Sequence, residues 1–251
     1  MTMAETDAGS RLRRLHWYGD LYSEAIRSGR GPLFLCRADG WMLPLEIERW
    51  CAAADEVDQE VLRRCHGTVL DIGCGPGRFA AALRARRHEV LGIDVSAVAV
   101  QRTRDNGANA LRLSVYDRLP GEGDWDTTLL MDGNIGIGGD PAALLRRIAD
   151  ITVPNGLLLV EVATVDVDER VTVHLADSSG GRGDHFAWAR VGVEALSRLA
   201  RPIGWRLDDH WTVDGRAFAA LRAPSPPQHE EGRDRDRGRG LGAQPPADPR
   251  Q

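Results

Sequence analysis

The amino-acid sequence predicts an α/β fold with a doubly wound sheet, and three observations support this prediction. Strand-like and helix-like segments alternate through the middle of the chain, as they do when helices join parallel strands. The segment "GTVLDIG" (67–73) is a continuous apolar run, which is typical of a strand buried on both faces. Near the end, Asp214 and Gly215 separate two further strand-like segments, which indicates an antiparallel hairpin.

The elements of this sheet follow one another along the chain, each with its own signal. The predicted strands are 67–73, 89–94, 110–115, 126–132 and 156–163, followed by the two strands of the hairpin within 205–223. The predicted helices are 78–87, 96–104, 140–151 and 191–204. Ser96 is expected to cap the second helix, and Pro141 occupies the first turn of the third, where proline is favoured.

Two internal segments and both ends fall outside this alternation. We expect a helical N-terminal cap over 11–64 and an irregular, glycine-rich lid insert over 164–189. The ends, 1–10 and 223–251, are polar or rich in Pro, Gly and alternating charge, so disorder is predicted there. The predicted organisation is therefore one domain, residues 11–222, between two disordered ends.

The composition excludes several classes of protein. A net charge of −5 gives no general electrostatic reason to bind nucleic acid. The chain has no lysine, which excludes Schiff-base catalysis by lysine and a lysine-bearing phosphate loop. Four cysteines without a CxxC pair indicate reduced thiols rather than a disulfide framework. With no signal peptide and no apolar run long enough for a membrane span, we expect a cytoplasmic protein without membrane contacts.

The most informative motif is "VLDIGCGPGRF" (69–79), in which Asp71 precedes three alternating glycines, Gly73, Gly75 and Gly77. The motif joins the first predicted strand of the sheet to the following helix, where open α/β sheets bind ligands. Glycines permit a tight turn there and let a ligand lie against backbone amides. The dinucleotide pattern G-x-G-x-x-G is not met, because its last position falls on Arg78.

Two segments carry a resemblance to a known family. "VLDIGCGPGRFAAAL" resembles motif I of the class I S-adenosylmethionine-dependent methyltransferases, and "VLGIDVS" resembles the second-strand motif that follows it. The resemblance extends over about 67–223. It implies a seven-stranded sheet that is mostly parallel, with the last strand antiparallel, and S-adenosylmethionine as the cofactor.

The resemblance also implies roles for the residues around the glycines. Asp71 matches the acidic residue near the methionine amino group of the cofactor. Gly73, Gly75 and Gly77 match the loop that passes under the methionine and the ribose. Asp94, at the end of the second strand, matches the carboxylate that accepts both ribose hydroxyls. Its spacing from the glycines suits a dinucleotide site as well, so Asp94 alone does not discriminate between the two.

Residues after the later strands complete the implied cofactor site. Asp117 matches the acid that commonly takes the adenine amino group, and Val95 and Tyr116 are expected to flank the adenine. Met131 and Asp132 end the fourth strand beside the reactive methyl group. Each strand-end aspartate has a purely structural alternative as a turn former or helix cap.

The acceptor class follows from what the fourth-strand segment "LLMDGNIGIGGDP" lacks. Methylases of nucleic-acid bases or glutamine amides have a motif similar to [DN]-P-P-[YF] at this point, whereas this chain has Asp-Gly-Asn-Ile. Pyrimidine-C5 enzymes need a cysteine nearby, and this segment contains none. Metal-dependent catechol methylases place Asp-Asn after the next strand, where this chain has "EVATVDVDE". The sequence therefore predicts methyl transfer to a small molecule without a metal ion and without a nucleic-acid partner.

Candidate acceptor residues lie in the cap and the insert. Tyr18 and Trp188 are expected to contact the acceptor, and His185 is the candidate general base, with Asp132 and His16 as alternatives. The structural alternative is that the aromatic residues pack the cap and His185 lies on the surface. Two rival functions stay open: a protein of this fold that binds the cofactor without methylating, and a nicotinamide-dependent oxidoreductase.

Overall fold

A computed structural model describes residues 20–225. The α-helices are α1 (Asp20–Ser28), α2 (Ile47–Cys51), α3 (Glu56–Arg64), α4 (Arg78–Ala85), α5 (Ala97–Asp105), α6 (Pro141–Ile151) and α7 (Val193–Ala200). Two 3-10 helices span Asn134–Gly139 and Arg201–Ile203. The strands are β1 (Leu33–Arg37), β2 (Met42–Leu45), β3 (Val69–Ile72), β4 (Val90–Asp94), β5 (Ala110–Arg112), β6 (Trp125–Leu130), β7 (Thr152–Val162), β8 (Asp168–Asp177), β9 (Phe186–Val191), β10 (Arg206–Val213) and β11 (Arg216–Arg222).

Some predictions fall outside this range. His16 and Tyr18, the predicted disorder at 1–10 and most of the predicted tail lie outside the described residues. Within 20–225, no helix is both long enough and apolar enough to cross a bilayer.

The main sheet has seven strands in the order β10-β11-β7-β6-β3-β4-β5. The pairs β6–β7, β3–β6, β3–β4 and β4–β5 are parallel, whereas β11 is antiparallel to both β7 and β10. The last strand is therefore the one that runs against the others, and the predicted doubly wound sheet is confirmed. Its closing hairpin turns at Asp214 and Gly215, whose φ angles of 52° and 74° suit a two-residue turn with both φ positive.

Two apolar cores cover the two faces of this sheet. Alternate residues of β3 point to opposite sides: Leu70 and Ile72 pack in the core that contains α6 and α7, and Val69 packs in the core that contains α3 and α4. The helices begin at caps visible in the sequence, since the Ser96 side chain accepts from the backbone of Ala99 at 3.3 Å. Because β3 is parallel to both β4 and β6, the carboxyl ends of these three strands lie at the same edge of the sheet.

A second sheet was not predicted. The segments assigned to a helical cap and an irregular insert contribute four antiparallel strands in the order β2-β1-β8-β9, which we call the small sheet. The cap prediction is right for α1, α2 and α3 but wrong for β1 and β2. The insert is a hairpin, and its alternation of Arg170, Thr172 and His174 with Val171, Val173 and Leu175 was a strand signal.

The small sheet is held against the main domain by a close backbone contact. The 3-10 helix Asn134–Gly139, which follows β6, packs on β9. A Cβ atom built on Gly136 would lie 2.3 Å from the carbonyl oxygen of Ala189, far inside van der Waals contact. Only glycine permits this approach, which places the small sheet over the carboxyl edge of the main sheet.

We predict that Gly136→Ala lowers the free energy of unfolding by about 1–3 kcal/mol, the usual effect of forcing an extra methyl group into a packed site. The measurement is urea unfolding of the variant beside the wild type. Gly183→Ala is the matched control, because its Cβ would meet its nearest atom, in Leu175, at 3.7 Å. Equal stabilities of the two variants would contradict the close contact.

Candidate active site

A cavity of about 760 Å³ lies between the carboxyl edge of the main sheet and the small sheet. One wall consists of the segments that follow β3, β4 and β6, together with residues 113–115 after β5. The opposite wall consists of residues from α2, β1, β2 and β9. Both sheets are therefore needed to enclose the cavity.

The glycine loop forms the floor of the cavity, and its three glycines have different surroundings. A Cβ atom on Gly73 would lie 2.5 Å from the Asn134 side chain, and one on Gly77 would lie 2.5 Å from a threonine of α5. A Cβ atom on Gly75, whose φ is +55°, would meet only the Tyr22 hydroxyl, at 3.6 Å. Gly73 and Gly77 thus serve protein packing, whereas Gly75 presents bare backbone to the cavity.

Asp94 lies at the end of β4 in the wall of the cavity, as the sequence predicts. One carboxylate oxygen accepts from the backbone of Gly75 at 3.0 Å, and the other accepts from Ser96 at 2.8 Å. Burial raises the pKa of this carboxyl to about 6, against the effect of these backbone donors. Since a carboxylate has about four acceptor sites, it keeps acceptor capacity for a ligand's hydroxyls beside these donors. Val95 follows in the same wall.

Asp71 and Met131 are buried behind the floor and are not among the residues that line the cavity within the described range. The Asp71 carboxylate has one oxygen, Oδ2, that finds no hydrogen-bond partner in residues 20–225. Burial raises the pKa of Asp71 to about 7, and the Arg78 guanidinium opposes this rise. Direct contact of either side chain with a ligand gains no support from this placement.

The segment after β5 differs from the expected adenine contact. Asp117 turns back to accept from the backbone of Ser114 at 2.8 Å, which is the turn-forming role open to such a residue. Tyr116 is exposed, and its hydroxyl donates to the carbonyl of Ile137 at 3.4 Å. The cavity wall is formed here by Ser114 and Val115 instead.

Asp132 lines the cavity at the end of β6 and belongs to a network of buried ion pairs. Arg78 donates to its two oxygens at 2.6 and 3.0 Å and to the fully buried Asp58 at 2.8 and 3.3 Å. Arg49 pairs with Asp132 at 3.1 Å. Burial alone would raise the pKa of Asp132, but the three guanidinium groups around it hold the pKa below its ordinary value. Asp132 is therefore a weak proton acceptor.

The network extends to β7 and β11. Arg216 donates to both oxygens of Glu161 at 2.8 Å and to Asp58 at 2.9 Å, and Glu161 also accepts from the backbone of Asp132 at 2.9 Å. Sequence reasoning missed these residues. The available signal was Glu161 itself, since a charge within an apolar strand indicates a buried partner.

The small sheet supplies the apolar wall. Trp188 and Phe186 line the cavity with their rings edge to face, 6.2 Å apart, so an acceptor contact of Trp188 stays a prediction. His185 does not line the cavity within the described residues: it is exposed, and its ring centroid lies 5.0 Å from that of His174, with the two rings tilted by 53°. His174 lies between Val173 and Leu175, which pack in the core cluster that also contains Phe186 and Trp188, so strand alternation directs both histidines to the opposite face.

Three further residues, from the N-terminal segment, also line the cavity. Trp50 and Arg49 on α2 line the cavity beside Tyr22 of α1. Within residues 20–225, no group of three or more His, Cys, Asp or Glu side chains is arranged to hold a metal ion.

The strand order, the glycine loop and the strand-end carboxylate together define the fold of the S-adenosylmethionine-dependent methyltransferases. Residues 46–210, well over half of the chain, match the methyltransferase domain family, and the chain belongs to this family. It is an enzyme of the methyltransferase class, and S-adenosylmethionine is its cofactor. No curated protein sequence matches the chain.

Solved structures with the same fold are distant in sequence. A SAM-dependent methyltransferase from Bacteroides fragilis in complex with S-adenosyl-L-homocysteine is 19% identical, with a TM-score of 0.68 over 84% of this chain and 94% of that one. The 1,6-didemethyltoxoflavin-N1-methyltransferase of Burkholderia thailandensis is 16% identical, with a TM-score of 0.52 over 90% and 92%. The sugar N-methyltransferase KedS8 from Streptoalloteichus is 16% identical, with a TM-score of 0.52 over 69% and 88%.

The cavity fits this cofactor on two observations. The backbone at Gly75 is open to the cavity, so a side chain there would occupy space that a ligand needs. The Asp94 carboxylate keeps acceptor capacity beside that loop, as ribose hydroxyls require.

We predict that Asp71→Asn stabilises the protein more at pH 8 than at pH 5. The folded-state pKa of Asp71 is raised from 3.8 to about 7, so the folded protein binds more protons than the unfolded chain between these values. The free energy of unfolding therefore falls as the pH rises through this window. At pH 8 the amide should gain up to about 4 kcal/mol, at about 1.4 kcal/mol per pKa unit.

Urea unfolding at both pH values measures this gain. The exposed Asp105, changed to Asn, is the control for the loss of a surface carboxylate. An Asp71→Asn variant with the same advantage at pH 5 and pH 8 would contradict the raised pKa.

Proposed function

We propose that the protein transfers the methyl group of S-adenosylmethionine to a small-molecule acceptor held in the cavity between the glycine loop and the small sheet. The observation that carries this proposal is one continuous cavity, which joins the wall with Gly75 and Asp94 to the aromatic wall with Phe186 and Trp188. Two ligands can then lie in contact, as in-line displacement requires. The Burkholderia enzyme, whose structure contains both 1,6-didemethyltoxoflavin and S-adenosylhomocysteine, supports a small acceptor.

In this proposal the main sheet binds the donor. Asp94 accepts the two ribose hydroxyls with the lone pairs that Gly75 and Ser96 leave unused. Bare backbone at Gly75 lies against the bound donor, and Val95 and Val115 flank its base. The bound cofactor supplies an electrophilic methyl group on a sulfonium ion.

Positioning, rather than proton transfer, is the proposed source of catalysis. His185 lies on the far face of the small sheet, and Asp132 is held in ion pairs that lower its basicity. Phe186 and Trp188 exclude water and hold the acceptor in line. Such a site favours acceptors that carry a free lone pair, such as neutral amines. The names of KedS8 and of the Burkholderia enzyme, both N-methyltransferases, agree with this class.

The rival functions are separated by binding and turnover. Calorimetry with S-adenosylhomocysteine and with NADH should show binding of the first only. A screen of amines with methyl-labelled donor should then give a methylated product. Binding of NADH would favour the oxidoreductase, and donor binding without transfer to any acceptor would favour a protein that holds the cofactor without methylating.

We predict that Asp94→Ala weakens binding of S-adenosylhomocysteine by about 1.5–3 kcal/mol, because the ribose hydroxyls lose a charged acceptor. Isothermal titration calorimetry on the folded variant measures the loss. Asp105→Ala removes an exposed carboxylate from the next helix and should bind as the wild type does. Unchanged affinity of Asp94→Ala would remove this residue from the donor site.

We predict that His185→Ala leaves turnover and its pH profile unchanged, because the side chain lies outside the cavity. Trp188→Ala should raise the KM for the acceptor found in the screen by tenfold or more, since it removes an aromatic wall. Initial rates between pH 6 and 9 test both. A tenfold loss of kcat in His185→Ala would restore it as the general base.

A further inference from the structure

Two neighbouring side chains on α2 carry N–H donors that the described part of the chain does not satisfy. Nη1 of Arg49 and Nε1 of Trp50 are buried and have no hydrogen-bond partner within residues 20–225. Buried donors in proteins are almost always paired, and an unpaired one opposes folding. Trp50 is only 9% exposed, so surrounding water does not replace the missing partner.

Both residues line the cavity, and the ion-pair network shows why Arg49 differs from its neighbours. Every guanidinium nitrogen of Arg78 and of Arg216 donates to a carboxylate. Arg49 uses only Nη2, which pairs with Asp132 at 3.1 Å. Its other terminal nitrogen, Nη1, therefore retains donor capacity in a residue that lines the cavity.

The charge of the network limits what these donors can bind. The guanidinium groups of Arg49, Arg78 and Arg216 face the carboxylates of Asp58, Asp132 and Glu161, and the exposed Asp55 carboxylate lies 3.8 Å from Arg216. Because the network has no net positive charge, it accepts a group with one negative charge more readily than a group with two. A planar carboxylate matches a guanidinium group in charge and geometry, and an indole N–H adds a neutral donor.

We propose that Arg49 and Trp50 bind a carboxylate group within the cavity. This inference rests on the proposed function, in which two ligands share the cavity and either one can supply the group. One source is the α-carboxylate of the methyl donor, and the other is a carboxylate on the acceptor. Tyr22 also lines the cavity, and its hydroxyl lies 3.6 Å from the position of a Cβ atom built on Gly75.

The first arm of the test compares two nucleosides by calorimetry. S-Adenosylhomocysteine has the α-carboxylate, whereas 5′-methylthioadenosine shares its nucleoside and thioether but lacks the amino-acid end. If the donor is the source, Arg49→Gln should bind S-adenosylhomocysteine at least tenfold more weakly, and Trp50→Phe about threefold more weakly. Both variants should bind 5′-methylthioadenosine as the wild type does.

Matched controls exist in the same chain. Nε1 of Trp211 is also buried without a partner, but Trp211 does not line the cavity, so Trp211→Phe should leave both affinities unchanged. Arg63, which is exposed on α3, gives the corresponding control Arg63→Gln. Because Arg49 is 25% exposed at its side chain, Arg49→Gln is expected to fold, and circular dichroism checks this.

The second arm tests the acceptor as the source. The complex with S-adenosylhomocysteine is titrated with benzoate and with benzamide, which differ in the carboxylate. Binding of benzoate that is lost in Arg49→Gln and Trp50→Phe, with benzamide unaffected, would assign the site to the acceptor. The carboxylate site is overturned if neither arm shows a loss, or if both nucleosides lose affinity equally. A wild type that binds neither nucleoside overturns the proposed function instead.

Discussion

The buried ion-pair network around Asp58 is the interaction on which the rest of the site depends. Asp58 comes from α3, ahead of the main sheet, and it binds Arg78 at the start of α4 and Arg216 on β11. These two arginines then fix Asp132 and Glu161, at the ends of adjacent strands. A buried carboxylate shared by two guanidinium groups is stable only while all partners are present, because any charge left alone is costly. The network thus couples the N-terminal helices to the carboxyl edge of the sheet.

The small sheet is the second constraint, and it explains why the cavity has two different walls. Its inner strands, β1 and β8, pair across a separation of 140 residues, at Leu35 and Leu175. The cavity therefore closes only when the N-terminal segment and the insert have met. The close approach of Gly136 to Ala189 then sets the distance between the small sheet and the glycine loop. Folding and formation of the site are in this sense one event.

The main sheet could be predicted because its signals are local. Apolar runs, the Ser96 cap and the Asp214-Gly215 turn each act within a few residues, and the glycine loop follows directly from its motif. The small sheet could not, since β1 and β2 gain stability only from a distant hairpin. The same limit explains why the position of His185 was not predicted. Strand alternation decides which face of a sheet a side chain takes, and the insert was not predicted to form strands. The carboxylate of Asp117 accepts a hydrogen bond from the backbone of its own turn, which the sequence motif alone does not distinguish from a ligand contact.

In the proposed reaction, the electrostatics of the cavity suit methyl transfer without a dedicated base. The carboxylates of Asp132 and Glu161, which line the cavity, are already engaged by arginines. The positive charge of the sulfonium ion makes its methyl group electrophilic. When this charge moves to the acceptor in an enclosed site, the fixed surroundings need little reorganisation. Fixed dipoles and paired charges suit such a reaction better than a mobile titrating group. The rigidity that the network gives to this edge of the sheet is therefore the chemical contribution of residues that never touch the methyl group.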